Sequence, residues 1–66
     1  MKLKIISNSD WEQLFRKVQK ESSVRYVDKK FDIIIRTVEE DGVHYTNEYE
    51  YDKYLAMGLN IKKLAK

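Results

Sequence analysis

Sixty-six residues carry a net charge of +2, a single histidine, no cysteine and no proline. That is one domain's worth of chain, with a small core and limited stability. It excludes a disulfide framework, leaves no thiolate ligand set for a metal, and gives too weak a charge balance to name a partner class. Two Phe, one Trp and five Tyr supply the large apolar area that so short a chain needs. The opening Met1-Lys2-Leu3-Lys4-Ile5-Ile6 is too short an apolar stretch for a signal peptide or a membrane span. A soluble, cytoplasmic protein without a membrane partner is therefore expected. Usage leaning to Lys, Ile, Asn and Tyr suits an AT-rich genome, bacterial or phage.

Taken in chain order, Leu3 and Ile5 alternate with Lys2 and Lys4, the period-2 mark of a short strand. Ser9-Asp10-Trp11-Glu12 has the spacing of a capping box, and Trp11, Leu14, Phe15 and Val18 follow as one apolar stripe. A helix over 9–21 is predicted, ended by Ser22-Ser23. Val24–Val27 reads as a strand, Asp28-Lys29-Lys30 as a turn, and Phe31–Val38 and Val43–Tyr51 as two long strands. Asp52 is the expected cap of a short helix over Lys53–Met57, stopped by Gly58. Residues 59–66 suit either a strand or a last helical turn. The expected fold is thus α+β, in the order β-α-β-β-β, with an antiparallel sheet, one amphipathic helix on one face and a short C-terminal helical turn.

Hairpin register decides which residues are free. A two-residue Asp41-Gly42 loop would place Phe31, Ile33 and Ile35 on the same face as His44, Thr46, Glu48 and Glu50, burying carboxylates against isoleucines. A three-residue loop, Glu40-Asp41-Gly42, pairs Glu39 with Val43 and sets Gly42 at the left-handed position of a bulge. It gathers Phe31, Ile33, Ile35 and Thr37 with Val43, Tyr45, Asn47, Tyr49 and Tyr51 on the core side. The outer face then carries Asp32, Ile34, Arg36, Val38, His44, Thr46, Glu48 and Glu50. The three-residue loop is the expectation.

Charge is banded along the chain. Glu39, Glu40, Asp41, Glu48, Glu50 and Asp52 fall in a stretch without Lys or Arg, and the last fourteen residues hold Lys53, Lys62, Lys63 and Lys66 with no acid. An acid row could imitate phosphates, but the net positive charge weighs against it. Nucleophilic catalysis needs an activating base and a group that orients it. His44 sits alone on a strand, and no glycine-rich phosphate loop or nucleophile elbow occurs. His44, Glu48 and Glu50 on one strand diverge rather than converge on an ion. No enzyme activity, cofactor, metal or small-molecule substrate is expected.

Ile34 and Val38 on an otherwise polar face mark an interaction patch. The expected function is non-enzymatic, regulatory binding of a protein partner, or of a second copy as a homodimer, through Ile34, Arg36, Val38, His44, Thr46 and Glu48. Phage or mobile-element origin is a plausible setting for it. The alternative is nucleic-acid binding through Arg16, Lys17 and Lys20 on the helix together with Lys62 and Lys63. Helix, three strands and the run Lys62-Lys63-Leu64-Ala65-Lys66 resemble double-stranded-RNA-binding domains, in which such a run opens the last helix. The likeness covers five residues and stops where that helix should begin.

Overall fold

The computed structural model describes residues 2–27 and 29–61. It is an α+β fold of four strands and two helices: β1 (Lys2–Ile6), α1 (Asn8–Val18), β2 (Ser22–Val27), β3 (Asp32–Glu40), β4 (Val43–Asn47) and α2 (Glu48–Ala56). The sheet order is β1-β4-β3-β2. β2–β3 and β3–β4 are antiparallel, whereas β1 lies parallel to β4, so the sheet is mixed rather than wholly antiparallel.

The cap of α1 lies two residues earlier than the sequence suggests. Ser7, not Ser9, is the cap, its Oγ accepting from the Asp10 amide at 3.1 Å. Both serines have an acid three positions on. Only a start at Ser7 brackets the first turn with apolar residues, Ile6 before the cap and Trp11 at the fourth helical position. The helix ends at Val18, where Gln19 turns left-handed at φ 55°. Ser22-Ser23 therefore opens β2 instead of closing α1.

The hairpin register is the largest correction. Val38 pairs with Tyr45, Glu39 with His44 and Glu40 with Val43, leaving a two-residue loop. Asp41 and Gly42 both take positive φ, 53° and 79°, the signature of a type I′ turn, whose twist matches that of the flanking strands. The objection to this loop was buried carboxylates, and it rested on a strand running to Tyr51. β4 stops at Asn47 instead, and Glu48 and Glu50 lie in a helix's first turn, where acids suit the macrodipole. Asn47 makes the switch: its Oδ1 accepts from the Glu50 amide at 2.9 Å. The predicted cap at Asp52 is thereby replaced.

Gly58 does end α2, as the sequence suggests. At φ 91° it donates to the Leu55 carbonyl (3.0 Å) while the Leu59 amide donates to that of Tyr54 (2.9 Å). These two bonds form a Schellman ending, and its usual apolar contact is present, because Leu59 and Tyr54 share one core cluster.

β3 changes partner along its length. Residues 32–37 pair with β2, and residues 38–40 pair with β4. One sheet face carries Leu3, Ile5, Val24, Ile33, Ile35, Thr37, His44 and Thr46. Against it pack Tyr54 of α2 and the following Leu59 and Ile61, forming with Leu3 and Ile35 the buried core. Each fully buried aliphatic side chain there contributes about 1.5–3 kcal/mol. The other face carries Val38, buried beneath α1, whose Trp11 indole donates to the Tyr45 carbonyl at 2.9 Å. Helices thus lie on both faces, not one. Tyr49, expected in the core, is 64% exposed on α2, and Tyr45 lies on the α1 side. Ile61 is fully buried, while Leu64 and the rest of 62–66 lie outside the described residues.

Candidate functional site

The six residues expected to share an outer face are dispersed by the observed register. Val38 and Thr46 are fully buried, on opposite sides of the sheet, and cannot meet a partner. Glu48 opens α2. His44 is half-buried on the core side of the sheet. Only Ile34 and Arg36 remain exposed and adjacent, on the face that α1 partly covers.

His44 belongs to a polar knot where β3 changes partner. Its Nδ1 lies 3.1 Å from Ser22 Oγ and 3.0 Å from Thr37 Oγ1, and those two hydroxyls are 2.9 Å apart. Glu39 Oε2 stands 3.4 Å from Nε2, an ion pair whenever the ring is protonated. Hydroxyl, imidazole and carboxylate in series are the ingredients of nucleophile activation. Here the hydroxyls direct their bonds to each other and to one ring nitrogen, tying β2, β3 and β4 together. Thr37 is fully buried. Among the described residues, no three His, Cys, Asp or Glu side chains form a group able to hold a metal ion.

The opposite face is built differently. α1 packs over β3 and β4, and on this face Asp32 and Ile34, in the stretch of β3 paired with β2, stay exposed among the described residues. Ile34 is 60% exposed there and Val27 64%. Val27 pairs with Asp32 and Ile34 with Arg25, so the two apolar side chains are diagonal neighbours. Arg25 crosses between them to Asp32 in a two-pronged ion pair, both contacts 2.9 Å. That pair holds the Asp32 carboxyl below its ordinary range and the guanidinium above its own. Arg36 pairs with Glu21. Beside it lies a groove of about 290 Å³ bordered by Trp11, Glu12, Phe15, Arg16, Glu21 and Arg36. The Trp11 and Phe15 rings stack with centroids 5.7 Å apart.

Sequence reasoning missed Val27 and Arg25, which register with β3 brings beside Ile34. Val27 directly precedes the predicted turn, and an apolar residue there carries no signal of its own. Of the nucleic-acid set, Arg16, Lys17 and Lys20 are exposed on or just after α1, but Lys17 is tied to Glu40 at 2.8 Å, which raises its pKa. Lys62 and Lys63 lie outside the described residues. No helix among the described residues is long and apolar enough to cross a membrane. No protein-family model, curated protein or solved structure matches the chain.

Proposed function

We propose that this chain is a non-enzymatic binding module that recognises a protein through the uncovered β2–β3 half of its sheet. Ile34 and Val27 form the apolar centre, with Arg25, Asp32 and Arg36 as a charged rim. The observation that carries this reading is the pair of exposed aliphatic side chains, diagonal neighbours on regular strands, at a place where the covering helix stops short. Apolar residues ringed by charge in this way suit the centre and rim of a contact surface. Of the surface expected from sequence, Ile34 and Arg36 are retained, and the buried Val38 and Thr46 are not.

Ile34→Asp tests it. An exposed strand position tolerates the change within about 0.5 kcal/mol, so the circular dichroism spectrum should match that of the wild type. Affinity capture from cell extract with each protein as bait should lose its bound protein in the variant. Equal capture by both baits overturns the reading.

A further inference from the structure

The inference concerns the partner, and it rests on reading the β2–β3 half of the sheet as a binding surface. We propose that the free edge of β2 pairs antiparallel with β2 of a second copy, Val24 facing Val24 across a two-fold axis, joining two sheets into one.

Backbone orientation leaves β2 with an outward-facing row of amides and carbonyls. Glu40 and Val43 flank a two-residue turn and are therefore a hydrogen-bonded pair, which turns the amides and carbonyls of even-numbered β3 residues toward β4. The Ile34 carbonyl agrees, since it accepts from the Tyr54 hydroxyl on that side at 2.9 Å. Odd-numbered β3 residues therefore bond to β2 through Ser22, Val24 and Tyr26. The amides and carbonyls of Ser23, Arg25 and Val27 point away from the sheet. β2 ends the strand order, and no described strand pairs with its outer side.

The two edges also differ in how they are protected. The opposite edge, β1, carries exposed Lys2 and Lys4, and lysines on an edge discourage pairing. The only charge on β2 is Arg25, a single one against two on β1, and it is drawn toward Asp32 of β3. Of the two edges, β2 is the open one.

Charge then selects the register. Antiparallel pairing that keeps each face continuous allows two five-residue alignments. One sets Arg25 against Arg25. The other sets Val24 on the axis and Ser23 opposite Arg25 of the second copy, so that the two Arg25 side chains stand diagonal to each other instead of face to face. Like charges directly opposed are unfavourable, so the Val24-centred alignment, which separates the two guanidinium groups, is preferred. In it, Ser23 and Arg25 exchange their outward hydrogen bonds across the interface.

Sedimentation equilibrium of the wild type should give twice the 8.0 kDa of one chain, with dissociation on dilution. Ser23→Pro removes an outward-facing amide that no described strand pairs with, a replacement edge strands accept. It should weaken dimerisation at least about tenfold with circular dichroism unchanged. Should that variant fail to fold, register is read from cross-linking. In a mixture of Ser23→Cys and Val27→Cys chains, both of which keep Arg25, oxidation should give little crossed 23–27 product, the pair that the Arg25-centred alignment sets face to face. A mass of 8.0 kDa up to about 1 mM, a dimer indifferent to a folded Ser23→Pro, or a dominant 23–27 product overturns the proposal. In those cases Ile34-dependent capture of a different protein would preserve the binding function, and its absence would end both.

Discussion

The phenol of Tyr54 does the work of a missing strand. Beyond the stretch where β4 pairs with β3, the Ile34 carbonyl faces a side that β4 has left, and the Tyr54 hydroxyl satisfies it at 2.9 Å. Burial first, then the nearby Glu50 carboxylate, raises this phenol above its ordinary 10.0, with Arg36 opposing. The fold thus requires the neutral form. Its contribution is complete below pH 10.0 and is lost as pH climbs through the raised folded value. Tyr54→Phe should cost about 1 kcal/mol at neutral pH by orphaning the carbonyl. The variant's melting temperature should also fall less steeply than the wild type's above about pH 10. Thermal melts of both proteins at neutral and alkaline pH check this. Tyr54 is one of five tyrosines, and nothing in the sequence separates it from Tyr49, which is largely exposed. That distinction follows from where α2 starts.

At the scale of elements, the sequence is legible wherever one periodicity dominates and ambiguous where two coincide. Leu3 and Ile5 identify β1, the Trp11–Val18 stripe identifies α1, and Gly58 marks the end of α2. Val43 to Tyr51 alternates polar and apolar residues on either side of Asn47, the one place where three polar residues run together, so the strand pattern continues almost unbroken into a helix. The contrary signal is brief: Asn47 with Glu50 three residues on, a cap-and-acid spacing, with Tyr51, Tyr54 and Leu55 then recurring at helical intervals. Misplacing that boundary made the two-residue turn appear to bury carboxylates, and the register error carried His44, Thr46 and Glu48 into a surface they do not share. Of that surface, Ile34 and Arg36 were legible because β3 alone exposes them. Asn47→Ala should therefore lower stability by about 1 kcal/mol, seen as an earlier denaturant midpoint, while Asn47→Ser, which keeps a capping oxygen, should stay close to wild type.

At the scale of the whole molecule, Cα extents of 35 × 20 × 18 Å describe an elongated body. β3 runs through its middle, pairing with β2 along one stretch and β4 along another, and the Ser22–Thr37–His44 knot sits where the partner changes. The parallel pairing of β1 with β4 sets an order of assembly. β2, β3 and β4 are joined by short connections, but Leu3 must wait for His44, its register partner 41 positions further along the chain. Long-range pairing bears its entropic cost before it is rewarded, so β1 should dock after the rate-limiting barrier although ribosomes deliver it first. Ile5→Ala, which trims a residue packed on the core and costs about 2 kcal/mol, should speed unfolding and leave the refolding rate nearly unchanged in a stopped-flow chevron. Until that last docking step β4 presents a second naked border, and Lys2 and Lys4 arrive with the strand that seals it.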